Sequence, residues 1–394
     1  MYKRHNIPYG KQSISNADIQ AVVDVLRSDY LTQGPVVPAF EEALAKYCNS
    51  QYAIAVNSAT SALHIACLAL GLSKGDWLWT SPITFVASAN CGLYCEAQID
   101  FVDIDPRTFN LCPVELEKKL IKSKLLGKLP KVVVAVHMCG QPCNMRAINQ
   151  LSKEYGFRII EDASHAIGAK YLQEPVGNCR FSDITVFSFH PVKVITTAEG
   201  GMAITNDKKL ADMMRALRSH GISNNQNEML PTPSDEIWNY QQHLLGFNYR
   251  MTELQAALGL SQLTKLDIFV AKRHELAKNY DAANWNTSIV KPWQLSETYS
   301  SFHLYIIRVN KESPKVTQQK VYKELNNAGI NAKLHYIPVY RQPFFTKMGF
   351  AKGYCPKSED FFKEAISIPL YVNLTNKEQS FIIQKIDKTI QKKL

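Results

Sequence analysis

The sequence lacks the apolar core of a signal peptide: it begins Met1-Tyr2-Lys3-Arg4-His5-Asn6, and no uninterrupted apolar run reaches the ~18 residues that a spanning helix needs. A cytoplasmic protein with no membrane partner is therefore the expectation. None of the nine cysteines stands in a Cys-x-x-Cys pair. They are read as buried reduced thiols, and no metal is assigned to them. No Gly-x-Gly-x-x-Gly accompanies the turn after the first strand, so a nicotinamide-dependent oxidoreductase lacks its fingerprint. A nucleic-acid-binding protein would concentrate its basic residues on one element. Here only Lys385 to Lys393 is dense, and at helical spacing it reads as one solvated face. No internal repeat and no compositionally disordered tail stands out.

What remains fits a large domain followed by a smaller one. The 394 residues are 46% hydrophobic and 20% charged, ordinary values for a globular chain of that size. Ser15-Asn16-Ala17-Asp18 has capping-box spacing, with Asp in place of the usual Glu, and Ile19, Val22, Val23 and Leu26 continue as an amphipathic helix. Ala53–Val56, Ile99–Asp103, Val132–His137 and Arg158–Glu161 read as strands, with helices over Thr60–Leu70 and Asn144–Tyr155. The Cys91/Cys95 pair falls in an apolar, helical run. This alternation predicts an α/β fold with a mostly parallel central sheet covered by helices on both faces. Thr185–Phe189 and Met202–Thr205 add strands, and helices follow over Asp207 to about Ser219 and Thr252–Leu263. After roughly Leu266 the texture changes. A strand at Phe302–Val309 and helices at Thr317–Ala328 and Asn376–Ile390 suggest a smaller C-terminal α+β domain on an antiparallel sheet. The expected division is 1–265 and 266–394.

Open α/β sheets bind ligands beyond the carboxyl ends of their strands, and three polar clusters fall there. Asn57-Ser58-Ala59-Thr60-Ser61 directly precedes a helix, where free backbone N–H groups and the helix dipole favour a phosphate. A plain N-cap needs one hydroxyl residue, and this turn has three. Glu161-Asp162-Ala163-Ser164-His165 puts an acid at a strand end, suited to a ribose or a protonated ring nitrogen. A metal would need more His and Asp neighbours than this segment has, and His165 taken alone reads as a hydrogen-bonded structural histidine. Phe187-Ser188-Phe189-His190-Pro191-Val192-Lys193 then sets one lysine among apolar residues. An unpaired buried ammonium is costly. A Schiff-base nitrogen and a snorkelling surface lysine explain it equally well from this segment alone. The net charge of +10 suits an anionic ligand such as a nucleotide diphosphate, and suits a generic lysine bias as well.

Taken together, a phosphate turn, a strand-end Asp, and a Ser and Lys downstream form the layout of fold-type-I pyridoxal-phosphate enzymes. In that chemistry a lysine carries the cofactor, a carboxylate keeps the pyridine nitrogen protonated, and hydroxyls with helix N–H groups hold the phosphate. An aromatic ring, here Phe85, stacks on the pyridine face.

Over essentially its whole length the chain resembles the DegT-type nucleotide-sugar aminotransferases. The resemblance rests on Leu31-Thr32-Gln33-Gly34, Asn57 to Ser61, Thr84-Phe85, Glu161 to His165, Ser188 to Lys193, Thr196-Thr197-Ala198-Glu199-Gly200-Gly201, Arg218-Ser219-His220-Gly221, Gly246-Phe247-Asn248-Tyr249-Arg250 and His335-Tyr336. Ala198 stands where many members carry Gly, and His165 where others carry Gln. The resemblance implies pyridoxal 5'-phosphate as cofactor, Lys193 as the lysine that carries it and shuttles protons, Asp162 as partner of the pyridinium nitrogen, and His165 beside the phenolic oxygen. It implies Thr60, Ser61 and Ser188 as phosphate ligands and Asn248 as a residue reaching the site from a neighbouring subunit of a homodimer. Tyr9, Asp29, Tyr30, Leu31, Thr32, Arg250, Leu334, His335, Tyr336 and Ile337 are expected to line the substrate pocket.

Within the family the Ser188–Gly201 pattern is most similar to the pseudaminic-acid branch. That implies a UDP-sugar acceptor, a UDP-linked 4-keto-6-deoxy-N-acetyl hexose, with L-glutamate as donor. Perosamine- and legionaminic-type members share most of these motifs and are the alternative. A non-catalytic aminotransferase-like regulator would be expected to carry an added helix-turn-helix domain, for which the short N-terminal segment leaves no room.

Overall fold

The computed structural model describes residues 6–391, apart from 226–228, 231–235, 237, 286 and 311–315. Met1–His5 and Lys393 therefore lie outside the described residues. The capping box forms as expected. Helix α1 (Asn16–Leu26) starts with the Ser15 side chain on the Asp18 amide and the Asp18 carboxylate on the Ser15 amide. Helix α2 (Val36–Cys48), not foreseen, begins behind Pro35, which has no side chain able to cap it. The cap comes instead from the Glu253 carboxylate, which accepts from the Val36 and Val37 amides at 2.6 and 3.2 Å.

Seven strands make the central sheet: β1 (Tyr52–Val56), β2 (Trp77–Thr80), β3 (Gln98–Phe101), β4 (Val132–Val136), β5 (Arg158–Asp162), β6 (Ile184–Ser188) and β7 (Gly201–Thr205), in spatial order β1-β7-β6-β5-β4-β2-β3. Every residue of β4, β6 and β7 is buried, as strands covered on both faces require. Four of the six pairings are parallel. The strand β7 lies antiparallel between β1 and β6. Helices α3 (Ala59–Ala69), α4 (Ala87–Tyr94), α5 (Pro113–Leu125), α6 (Met145–Tyr155) and α7 (Lys208–Arg218) connect these strands or follow them, and α8 (Glu253–Leu263) packs against α1 and α2. The β3 strand stops short of the expected Asp103. That carboxylate turns away to accept from the Lys357 and Ser358 amides at 2.8 and 2.9 Å, the first turn of a distant helix.

From α9 (Leu266–Ala282) onward the chain builds a second core on an antiparallel sheet of β8 (Ile289–Val290), β9 (Tyr305–Val309) and β10 (Ala365–Ile368). Helices α10 (Gln318–Asn327) and α13 (Asn376–Gln391) complete it, α12 (Pro356–Glu364) packs against β9, and α11 (Pro343–Lys347) returns to the core of the central sheet through Phe345. Ile7 belongs to this second core and donates its N–H to the Gly329 carbonyl at 2.9 Å. The strand expected from Phe302 begins only at Tyr305. Ser301 and Leu304 instead donate to Gly140 and Cys139 at 3.1 and 3.3 Å, so these residues are tied to the end of the β4 loop. Seven of the nine cysteines are buried, Cys112 and Cys139 are half-buried, and all are free. Among the described residues no helix is long and apolar enough to cross a membrane.

Candidate active site

Successive side chains of a strand point to opposite faces, and β5 uses this to separate two acids. Glu161 points one way, into a buried pair with His137, Oε2 to Nε2 2.7 Å. Burial works against a charged His137, but Cys143 and Glu161 outweigh it and hold the imidazole up at about 10. Asp162 points the other way. Its Oδ2 accepts from Ser88 Oγ at 2.6 Å, and that hydroxyl is 2.7 Å from Thr84 Oγ1. Its Oδ1 accepts the Ser164 N–H at 3.1 Å. The carboxylate is thus held rigidly at the floor of a cavity of about 460 Å³.

The cavity is bounded by the start of α3, the turn carrying Lys193 and the 335–336 segment. Ser58 caps α3 by accepting the Ser61 N–H at 3.1 Å. Gly201 allows this helix to start close to the sheet, since a Cβ there would lie 2.5 Å from the backbone of Ser58 and Ala59. Lys193 follows β6 on a turn closed by its N–H on the His190 carbonyl at 2.9 Å. Burial pushes its amine down to about 8, against an opposing pull from Asp162. Ala198, three residues before β7 begins at Gly201, has φ 67°. That left-handed backbone is the conformation glycine adopts without cost.

Nine of the expected site residues line the cavity: Tyr9, Thr60, Phe85, Asp162, His165, Ser188, Lys193, His335 and Tyr336. His165 Nε2 is 3.2 Å from the Tyr336 hydroxyl, and His335 Nδ1 is 2.8 Å from Ser367 Oγ. Burial, reinforced by Lys193, holds His165 well below the usual histidine range and brings His335 down to about 4. Burial also raises the Tyr336 and Tyr9 hydroxyls above their ordinary range.

The other nine are not in the lining. The Ser61 hydroxyl is turned to Asn57 Oδ1 at 2.6 Å and to Ser58 Oγ at 3.0 Å. Leu334 packs into an apolar cluster behind the wall, and Ile337 is exposed. Asp29, Tyr30, Leu31 and Thr32 are exposed beside the 246–252 segment, which Thr32 meets through Thr252. Asn248 is exposed there too, its carbonyl accepting from Asn57 Nδ2 at 3.4 Å, and Arg250 lines a separate hollow with Trp238 and Tyr240. Sequence reasoning missed the Thr84–Ser88 anchor of Asp162, although Thr84 stood in a recognised segment. It also missed His190 and Glu199, which face each other at 4.0 Å on the cavity lining.

Pyridoxal phosphate fits this donor set. A basic amine, a pinned carboxylate across from it, hydroxyls at a helix start and an exposed Phe85 ring converge on one cavity of suitable size. That fold and that constellation define a fold-type-I aminotransferase. The chain belongs to the DegT/DnrJ/EryC1/StrS aminotransferase family, whose pattern matches residues 12–387. Members of this family depend on pyridoxal phosphate and act on sugars. The chain is 35% identical over 390 residues, 98% of both chains, to the UDP-4-amino-4,6-dideoxy-N-acetyl-beta-L-altrosamine transaminase of Campylobacter jejuni. It is 34% identical over 359 residues, 91% of each, to the GDP-perosamine synthase of Caulobacter vibrioides. Among solved structures, Helicobacter pylori PseC, an aminotransferase of pseudoaminic acid biosynthesis, superposes with a TM-score of 0.87 at 32% identity, covering 98% of this chain and 99% of that one.

Proposed function

We propose that this sugar aminotransferase moves the amino group of L-glutamate onto the keto carbon of a UDP-linked 4-keto-6-deoxy-N-acetyl hexose, in the cytoplasm, giving a 4-amino-4,6-dideoxy sugar for pseudaminic-acid-type glycans. The observation that carries it is the meeting of Lys193 and Asp162 beneath the α3 start in one cavity, joined to 98% coverage by a transaminase of that product class. When bound, pyridoxal phosphate supplies an aldehyde to take up the amine and a ring that accepts electrons.

The chain's own residues prepare the rest. Lys193 Nζ, neutral above about pH 8, anchors the cofactor and then accepts and returns the migrating proton. Asp162, fixed by Ser88 and Ser164, favours the protonated form of the ring nitrogen. Thr60, Ser188 and the α3 N-terminus hold the phosphate, and Phe85 covers a ring face. Tyr9, His335 and Tyr336 wall the space left for the sugar. In this reading residues 1–265 form the cofactor-binding unit and 266–394 the smaller unit that contributes His335 and Tyr336.

The exposed Asp29–Thr32 and 246–250 segments face a second copy of the chain, so that Asn248 serves the partner's site in a homodimer. Supporting this, Leu245, Trp238 and Tyr240 are 80%, 75% and 64% exposed, an apolar surface that favours a protein neighbour. The second reading, a perosamine-type substrate on GDP, is favoured by the Caulobacter relative. Mass spectrometry of mixtures of protein, pyridoxal phosphate, glutamate and either UDP- or GDP-linked 4-keto sugars separates the two. The first reading expects an amino sugar only from the UDP-linked N-acetyl substrate. Amination of the GDP sugar alone would replace it with the second.

A further inference from the structure

Behind the cavity wall lies a second imidazole that neither the motifs nor the mechanism uses. His303, 4% exposed, sits just before β9 and packs against His165 in a tilted arrangement, with ring centroids 4.4 Å apart and planes at 39°. Three contacts build this arrangement. Ser301 Oγ donates to the His165 carbonyl at 2.6 Å. Arg273 of α9, 1% exposed, donates to the carbonyls of Phe302, His303 and Leu370 at 3.2, 3.2 and 3.0 Å. Gly140 closes the space from the β4 side, where a Cβ would come within 2.3 Å of Ser301 Oγ and 2.9 Å of the His165 carbonyl.

The nitrogens are unequally served. His165 Nε2 meets the Tyr336 hydroxyl at 3.2 Å, whereas its Nδ1 is buried with no hydrogen-bond partner, as is Nδ1 of His303. A buried N–H without an acceptor is costly, and an unused lone pair is tolerated more often. The ring hydrogen of a neutral His165 therefore belongs on Nε2. A second hydrogen would have to sit on Nδ1, facing no acceptor. The charged and titratable groups that act on the pair, Lys193, His335 and Arg273, are cations or uncharged bases; Asp162 lies on the cavity side, where it acts on Tyr336, and Tyr336 keeps its proton.

We propose that His303 is a positioning residue that fixes the single ring hydrogen of His165 on Nε2, aimed into the cavity as a hydrogen-bond donor. An oxygen anion on the cofactor ring is the acceptor such a donor suits. His165 is then a fixed donor and not a proton carrier, and Lys193 is left to move protons. That pyridoxal phosphate is the occupant rests on the reading above. The arrangement of the two imidazoles does not, so the two ideas fail separately.

The test is long-range ¹H–¹⁵N correlation on full-length, cofactor-free protein with ¹⁵N-labelled histidine, the His165 ring being assigned by its loss in His165→Gln. The expected pattern is a protonated Nε2 and a bare Nδ1, with no hydrogen appearing on Nδ1 between pH 6 and 9 (roughly the span around an ordinary histidine midpoint). His303→Ala opens space for water at Nδ1 and should bring in a step with a midpoint of about 6–7. His303→Phe restores a flat ring without an acceptor and should remove that step again. On cofactor-loaded protein, the pH midpoint of the visible band should move in His303→Ala and return in His303→Phe. A hydrogen on Nδ1 of the wild type at any pH in that range, or an unchanged His165 pattern in His303→Ala, overturns the proposal. Should His303→Ala fail to fold, the wild-type pattern and its retention in His303→Phe decide.

Discussion

Lys193 is a base tuned by its surroundings. Burial lowers its amine from the ordinary 10.5 to about 8, so below that pH it is protonated and cannot capture an aldehyde. The rate at which cofactor-free protein takes up pyridoxal phosphate should therefore rise with pH and level off just above 8, as followed by stopped-flow absorbance. A rise continuing towards 10 would show an unperturbed lysine. Asp162→Asn keeps the shape but loses the charge opposite the ring nitrogen. Its kcat should fall by about 10²–10³, the scale for removing one preorganised electrostatic partner, with a smaller change in KM in steady-state assays. Lys193 and Asp162 were legible in the sequence because an acid at a strand end and a lone lysine among apolar residues are unusual in themselves. Ser88, which holds Asp162 from 74 residues away, carries no such local mark. Nor does His303, whose contact with His165 is created only when the two cores meet.

At the level of elements, α1 shows how a helix start becomes a docking point. Asp18 closes the capping box of its own helix and, fully buried, also accepts from Lys265 at 2.5 Å, Ser261 at 2.7 Å and Gln262 at 2.8 Å. Burial alone would raise its carboxyl, but Lys265 and the hydrogen bonds hold it down at about 2. A folded-state value below the unfolded one of 3.8 means stabilisation that is complete above about pH 4 and is lost as the pH falls towards 2. Asp18→Asn should flatten that acid limb of the stability curve. Asp18→Ala should cost about 3 kcal/mol, the scale for leaving one member of a buried pair alone, in urea unfolding at pH 7. The box was visible at the sequence level because its partners are three residues apart. The helix α2 was not, since its cap arrives from Glu253, more than 200 residues on. Of the long helices, those with their own Ser, Thr, Asn or Asp caps were the ones read correctly.

For the whole molecule, the alternation of strands and helices announced a covered α/β sheet, but not the insertion of β7 between β1 and β6. That placement depends on long-range pairing and not on any local pattern. It matters because β6 and β7 flank the turn that carries Lys193. The half of the expected substrate residues that lie on an exposed face leads to a prediction about assembly. With a site shared between two chains, the Lys193→Ala and Asn248→Ala proteins should each be impaired. After subunit exchange, about half of the dimers would be mixed, each with one undamaged site, so activity should recover towards about a quarter of wild type for random pairing in a twofold dimer. Exchange without recovery would mean that Asn248 acts within its own chain or not at all.

The proposed transamination depends on Lys193 being the residue that carries pyridoxal phosphate. Protein loaded with the cofactor, reduced with borohydride and digested for peptide mass spectrometry should show one added pyridoxyl phosphate group, on the peptide containing Lys193. The same treatment of Lys193→Ala should leave every peptide unmodified. A reduced adduct on any other lysine of the wild-type chain would contradict the account.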